Sequence, residues 1–308
     1  MFRKVIVGFD GSERGLDALM LGQTLTAPEG DLIVCCVHHL QPLSARIDPT
    51  EPTIDHTSAQ ESIERATRML KGGLTVTPMF LAGENAAKTL QGAAISEQAD
   101  LVVLGSSHRG ALGRVLLGSV TQATLREAPC PVAVAPVGFH DHSESNRLAR
   151  IAVGHDTVEP TPDALTAAVG LCEETGTELR LVAVAEDAAV PDPARATMPY
   201  TEITQARLRA AEQSVADALS VVPETVSATS EVRDGDPAEE LLEVSRDADL
   251  LLLGSHGRGT IGRLIMGSVC DRVVRAAACP VLVVPPAEIT DTRGSARLAP
   301  AIASADES

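Results

Sequence analysis

Asp249–Pro285 reads DLLLLGSHGRGTIGRLIMGSVCDRVVRAAACPVLVVP. Leu250–Leu253 has the length and composition of a buried strand, and Val281–Val284 is a second apolar run of the same kind. Between them lie a glycine-rich loop, Gly254–Gly262, and a segment of helical character after Gly267. Glycines let backbone N–H groups approach a ligand closely, and a helix N-terminus favours anions. The order strand, glycine loop and helix therefore predicts an anion-binding site.

The same pattern occurs earlier in the chain, where Asp100–Pro136 reads DLVVLGSSHRGALGRVLLGSVTQATLREAPCPVAVAP. The two stretches align without a gap, so that Gly105 corresponds to Gly254. Upstream, KVIVGFD at residues 4–10 is repeated as RIAVGHD at residues 150–156. The chain of 308 residues is therefore predicted to be a tandem duplication. We expect a first domain at 1–137, a linker at 138–149, a second domain at 150–286 and a disordered tail at 287–308.

Strand-like and helix-like segments alternate within each half. In the first half, strands are expected at 4–10, 31–38 and 74–81, and helices at 58–71 and 86–98, before the glycine loop. Such alternation is typical of a parallel sheet with right-handed crossovers. Aromatic residues make up only 2% of the chain, which suits strands that are buried on both faces. We predict an α/β fold with two tandem open parallel five-stranded sheets, each of strand order 3-2-1-4-5 with helices on both faces.

Composition and charge argue against several classes of protein. The formal net charge of −17 and the absence of a Lys/Arg cluster disfavour nucleic-acid binding. No apolar run reaches the roughly 18 residues of a membrane span, and no signal peptide is recognisable, so we expect a cytoplasmic protein without a membrane partner. The six cysteines contain no C-x-x-C pair and the histidines lack ligand spacing, so neither a disulfide nor a protein metal site is expected.

The expected strand order places two loops at one ligand site in each half. In a 3-2-1-4-5 sheet, ligands bind at the carboxyl ends of strands 1 and 4. These strands end at Asp156 and Gly254 in the second half, and at Asp10 and Gly105 in the first. The convergence predicts a nucleotide site in each half.

Two of these features have structural interpretations that need no ligand. Asp10 and Asp156 are ordinary turn formers. Ser119 and Ser268, with Gln122 and Asp271 three residues later, fit helix-capping boxes. Both interpretations stay open on the sequence.

Gly254-x-x-Gly257, followed after nine residues by Gly267-Ser268, resembles the G-x2-G-x9-G-[ST] signature of the ATP-binding universal stress proteins. The resemblance extends over both halves, nearly residues 1–286. It implies a stress-response regulator that binds ATP, often with a divalent metal, for which we expect Mg²⁺. It also implies pairing through the last strands, so that the halves form an intramolecular pseudo-dimer; a homodimer is a further assembly to test.

The resemblance also implies roles for individual residues. The aspartate at the end of strand 1 lies near the ribose or phosphates, the end of strand 2 contacts adenine, and the glycine loop with the helix start holds the phosphates. The expected nucleotide-binding residues of the second half are Gly154, Asp156, Val184, Gly254, Ser255, His256, Gly257, Arg258, Gly259, Gly267, Ser268 and Val269. Their counterparts in the first half are Gly8, Asp10, Val37, Gly105, Ser106, Gly118, Ser119 and Val120.

The first half departs from the signature, because His108 stands where the second glycine belongs. A Cβ there hinders positive φ and close backbone approach, so we expect ATP in the second half and leave the first half open. No residue stands out as a catalytic base or nucleophile, which favours a regulatory protein over an enzyme. Two alternatives remain: slow ATP hydrolysis or nucleotidyl transfer with Asp156 or Asp10 holding Mg²⁺, and a nucleotide-free interaction module.

Overall fold

The computed structural model describes residues 1–39, 56–70, 74–106, 117–142, 148–158, 160, 162–186, 200–255 and 266–286. The first half contains β1 (Phe2–Gly8), α1 (Glu13–Leu25), β2 (Thr26–His39), α2 (His56–Thr67), β3 (Thr75–Gly83), α3 (Ala86–Ser96), β4 (Leu101–Gly105), α4 (Ser119–Glu127) and β5 (Val132–Ala135). A 3-10 helix follows at Phe139–His142. The second half contains β6 (Arg150–His155), α5 (Pro162–Thr175), β7 (Glu178–Ala185), α6 (Tyr200–Leu219), β8 (Ala228–Asp234), α7 (Pro237–Val244), β9 (Leu250–Gly254), α8 (Ser268–Ala276) and β10 (Val281–Val284).

All of these strands belong to one sheet, in the order β3-β2-β1-β4-β5-β10-β9-β6-β7-β8. Within each half the strands are parallel, and the predicted order 3-2-1-4-5 is confirmed. β5 and β10 are antiparallel neighbours, with Val132 opposite Val283 and Ala133 opposite Leu282. The two predicted five-stranded sheets are therefore joined at their last strands into a single ten-stranded sheet.

Alternate side chains of the strands build two apolar cores, one on each face of the sheet. Val5 and Val7 pack on the face that α1, α2, α5 and α6 cover, whereas Ile6 packs on the face that α3, α4, α7 and α8 cover. Each core contains residues of both halves, such as Val7 and Leu282 in one and Ile6 and Leu251 in the other. This arrangement follows from the two-residue period of a strand that is buried on both faces.

Most element boundaries differ by a few residues from the sequence-based expectation, and two differences are larger. β2 begins at Thr26 rather than at Asp31, because Thr26 pairs with Phe2 across a register shift that the Pro and Gly of residues 28–30 accommodate. The predicted linker contains the 3-10 helix at Phe139–His142. The predicted disordered tail at 287–308 lies outside the described residues. Among the helices that the structure describes, none combines the length and apolar composition that crossing a membrane requires.

Candidate functional site

A cavity of about 600 Å³ opens at the carboxyl ends of the strands in the second half. β6 and β9 are neighbours in the sheet, so their last residues, Gly154 and Gly254, meet at this edge and both line the cavity. α6 covers one side, and the N-terminus of α8 reaches it from the other. The predicted binding residues that line the cavity are Gly154, Asp156, Val184, Gly254, Gly267, Ser268 and Val269.

The N-terminus of α8 carries no side-chain cap. Gly267 is the N-cap residue, with extended backbone, and Ser268 is already the first helical residue. The capping-box interpretation of Ser268 is therefore wrong, because its side chain starts one position too late to cap the first turn. Asp271 instead pairs with Arg275 of the same helix through two hydrogen bonds of 2.8 Å. The backbone N–H groups of a helix start thus lie at the cavity without a capping side chain.

The first half repeats this geometry at α4. Gly118 is the N-cap residue and makes no side-chain capping hydrogen bond, and Ser119 is the first helical residue. The capping-box interpretation of Ser119 with Gln122 is therefore also wrong, for the same positional reason.

The strand-1 aspartates both form turns. Oδ1 of Asp156 accepts a hydrogen bond from the backbone N–H of Val158 at 2.8 Å. Oδ1 of Asp10 accepts from the backbone N–H of Ser12 at 3.0 Å and from its hydroxyl at 2.5 Å. The turn-forming interpretation is therefore confirmed for both residues. Each carboxylate is nevertheless held at the rim of its cavity, where it can also meet a ligand.

The inner part of the second-half cavity is apolar. Val182 and Leu253 come from β7 and β9, and Leu241 and Cys270 come from α7 and α8. Burial raises the pKa of the Cys270 thiol to about 12, so it is a neutral, apolar part of the wall at pH 7. An apolar wall beside a helix N-terminus suits a ligand with a flat apolar part and an anionic part.

Two polar side chains of the wall were not identified from the sequence. His155 Nε2 lies 2.9 Å from the Ser214 hydroxyl of α6, and burial lowers the pKa of this histidine although Asp156 opposes the shift. Arg207 of α6 also lines the cavity. No local pattern in the sequence marks Arg207, because its position depends on how α6 packs over β7 and β8.

The corresponding cavity of the first half is smaller, about 290 Å³. Its predicted lining residues are Gly8, Asp10, Val37, Gly105, Gly118, Ser119 and Val120.

A shorter connection after the first strand contributes to this difference. α1 begins at Glu13, five residues after the end of β1 at Gly8, whereas α5 begins at Pro162, seven residues after the end of β6 at His155. The start of α1 therefore packs directly on the end of β4, and a Cβ at Gly105 would lie 2.3 Å from the carbonyl oxygen of Arg14. Arg14 lines the smaller cavity, and so does Phe9, whose counterpart in the second half is His155.

Two predicted residues lie beside the cavities without lining them. Ser255 is buried, and its hydroxyl donates to the carbonyl of Val284 at 3.3 Å. Ser106 is its buried counterpart, and its backbone N–H bonds Ala135 at 2.9 Å. His256, Gly257, Arg258, Gly259 and the departure at His108 lie outside the described residues. Within the part of the chain that the structure describes, no three His, Cys, Asp or Glu side chains are arranged to hold a metal ion.

Comparisons with known proteins agree with this architecture. A universal stress protein from Mycolicibacterium smegmatis is 31% identical over 293 residues, which cover 92% of this chain and 97% of that protein. One from Mycobacterium tuberculosis is 36% identical over 197 residues, which cover 61% of this chain and only 63% of that relative's length. The crystal structure of a universal stress protein from Archaeoglobus fulgidus has the same fold, with a TM-score of 0.62 at 22% identity over 92% of this chain and 98% of that one.

The family assignment rests on both halves of the chain. The model of the Universal stress protein family matches residues 1–136 and again residues 148–285. The names of these two relatives mention no enzymatic activity. The chain therefore belongs to the universal stress protein family and carries two of its domains in tandem.

Proposed function

We propose that the second half binds ATP in the larger cavity, and that nucleotide occupancy controls the conformation of the protein or its binding of a partner. The observation that carries this proposal is the uncapped N-terminus of α8 in a cavity of about 600 Å³. Small-molecule sites typically have about 300–1,000 Å³ and combine an apolar wall with a few polar groups. The cavity meets both criteria.

Each part of ATP has a matching part of the wall in this proposal. The phosphates lie against the N–H groups at Gly267–Val269, where the helix dipole favours negative charge. The adenine lies against Val184 and the apolar wall. Asp156 contacts the ribose or holds Mg²⁺ together with phosphate oxygens, because Mg²⁺ usually takes one or two carboxylates plus substrate phosphates.

The proposal predicts one ATP per chain. The first-half cavity of about 290 Å³ falls at the lower limit of ligand sites, and the start of α1 fills part of its space. A cytoplasmic location belongs to the same proposal, since all six cysteines are free thiols, as expected in a reducing compartment.

Calorimetric titration with Mg·ATP tests the site, with two matched variants. Gly267→Val adds a branched side chain at the N-cap of α8, where the extended backbone tolerates it, and obstructs access to the N–H groups. We expect ATP affinity to fall by about tenfold or more. Gly118→Val makes the same change at α4 and should leave affinity unchanged. No binding by the unaltered protein would refute ATP binding and leave an interaction module; two sites per chain would refute the assignment to the second half alone.

Hydrogen exchange with and without ATP tests the regulatory part. Gln122 of α4 accepts a hydrogen bond from Arg275 of α8 at 2.8 Å when its amide oxygen faces that guanidinium. This contact links the helix at the proposed phosphate site to the first half, so we expect ATP to slow exchange in α4 as well as in α8. If ATP slowed hydrogen exchange only in the residues that line the cavity, control of the protein's conformation by the nucleotide would be contradicted. Phosphate release in the same samples, lost in Asp156→Ala, would instead establish slow hydrolysis.

A further inference from the structure

Hydrogen bonds to Asp234 and to the backbone of Glu186 are among the contacts that fix Arg207 in the wall of the second-half cavity. Its side chain is only 15% exposed, and Nη2 donates to Asp234 Oδ1 at 2.5 Å. Nη1 donates to the carbonyl oxygen of Glu186 at 3.1 Å. Asp234 ends β8 and Glu186 follows β7, so the guanidinium is held over the carboxyl ends of two neighbouring strands.

This position is far from the proposed phosphate site. α8 follows β9, whereas the acceptors of Arg207 belong to β7 and β8, which lie on the opposite side of β6. With strands about 4.8 Å apart, β7 and β8 are about 10–14 Å from β9 across the sheet. Arg207 is therefore at the end of the cavity where Val184 lies, on the side of β6 opposite to β9 and α8.

The hydrogen bonds from the N–H groups at the edge of the Arg207 guanidinium determine which side of this group a ligand can contact. A guanidinium is planar, and its donors lie in that plane. With donors directed to Asp234 and Glu186, the group is oriented, and its charge is paired with a carboxylate. The flat face is then the surface best suited to a second contact, and guanidinium faces stack on bases.

Besides Arg207, the described wall has one planar ring, the His155 imidazole at the end of β6, whose Nε2 lies 2.9 Å from the Ser214 hydroxyl. None of the described residues that line the cavity is Phe, Tyr or Trp. In the sequence, aligning the buried pair Ile63 and Val215 places Asp55, rather than an arginine, opposite Arg207. No α2 residue is among the described residues that line the smaller cavity.

We propose that Arg207 stacks on the nucleobase and makes the second-half site selective for a nucleotide over a bare polyphosphate. This inference rests on the proposed ATP site and adds to it a residue that recognises the base. Because Arg207 is already paired with Asp234, its contribution is a planar contact to the base rather than a charge contact to phosphate.

The test compares two ligands, ATP and inorganic tripolyphosphate, by calorimetry in the full-length protein. Arg207→Met keeps an unbranched apolar stem and Arg207→Lys keeps the charge, but both lose the plane. Stacking on one base typically changes affinity by about tenfold or more, so we expect both variants to bind ATP about tenfold more weakly. Tripolyphosphate affinity should stay within about twofold, because no base is present.

Arg233→Met is the matched control, since Arg233 bonds Glu231 at 2.6 Å and Glu240 at 3.1 Å but does not line the cavity. It should leave both affinities unchanged. Suppose that Arg207→Met weakens the binding of both ATP and tripolyphosphate, whereas Arg207→Lys binds both as the unaltered protein does. That result would identify a charge contact to phosphate and overturn the stacking role. Unchanged ATP affinity, or equal losses for the two ligands in both variants, would also overturn it. If the unaltered protein binds tripolyphosphate but no ATP, the ATP site itself is refuted.

Discussion

Asp17 on α1 attaches residues 138–142, the described part of the segment between the halves, to the first half. Its carboxylate is only 2% exposed and accepts from the backbone N–H groups of Gly138 at 3.1 Å and His140 at 2.8 Å. It also lies 2.6 Å from the Nδ1 atom of His140. Asp17→Ala leaves these groups without their acceptor, so we expect the free energy of unfolding to fall by about 2–4 kcal/mol, measured by urea titration.

Asp141 provides the control for this prediction, because it is an acid beside the same histidine. Its side chain is 67% exposed and lies 3.4 Å from the Nε2 atom of His140. Asp141→Ala should cost less than about 1 kcal/mol, as exposed pairs contribute little. Similar losses in the two variants would show that the buried hydrogen bonds of Asp17 do not hold the segment in place.

Single residues of the site differ in how far their roles follow from the sequence. Asp156 and Gly254 could be located because they lie at the carboxyl ends of β6 and β9, and strand order alone brings those ends together. The cap of α8 was misplaced because Gly267 and Ser268 are adjacent and both suit a helix start. Arg207 could not be found, since its acceptors Glu186 and Asp234 meet it only through tertiary packing.

At the scale of elements, α3 and α7 are equivalent helices with different caps. The Asn85 side chain accepts from Lys88 N at 3.1 Å, and the Asp236 side chain accepts from Glu239 N at 3.0 Å. Asp236 also accepts from Arg272 at 2.8 Å. The Arg272 hydrogen bond, followed by that of the Glu239 backbone, lowers the pKa of the Asp236 carboxyl in the folded protein.

This difference predicts a pH dependence at one cap only. A carboxyl with a lowered folded-state pKa contributes stability above its unfolded value, ordinarily 3.8, and that stability is lost as the pH falls below it. Asp236→Ala should therefore cost about 1 kcal/mol at pH 7 and less at pH 3. Asn85→Ala should cost a similar amount at both pH values, because the amide does not titrate. Urea titrations at the two pH values measure this; a pH-independent loss at Asp236 would contradict the ionic contribution.

Elements were predicted well where local pattern determines them. The cap and proline at Asp236-Pro237 start α7 as expected, because both signals act within one turn. The part of β2 before Asp31 was not predicted, because it pairs with β1 only across a register shift. The length of the connection after strand 1 is visible in the sequence, but its effect on cavity size emerges only once α1 packs on Gly105.

At the scale of the whole molecule, two repeated halves share one sheet and two cores. The duplication predicted two sheets of the same order, and the resemblance to universal stress proteins implied their pairing through the last strands. The β5–β10 ladder provides that pairing within the chain. Among the described strands, β3 and β8 are then the outer edges of the sheet. Repeated patterns could not reveal that the two cavities differ about twofold in volume, because that depends on packing around each strand end.

Because each core contains residues of both halves, we expect the molecule to unfold as one unit. Leu282, fully buried in the joint, and Leu179, fully buried in β7 away from it, belong to the same core. Either Leu→Ala substitution should lower the free energy of unfolding by about 2–5 kcal/mol. Native-state hydrogen exchange should report that loss equally in β1 and in β6. Leu179→Ala decides the question: if it weakened protection in β6 and spared β1, the halves would unfold independently, and the shared sheet would not make them cooperative.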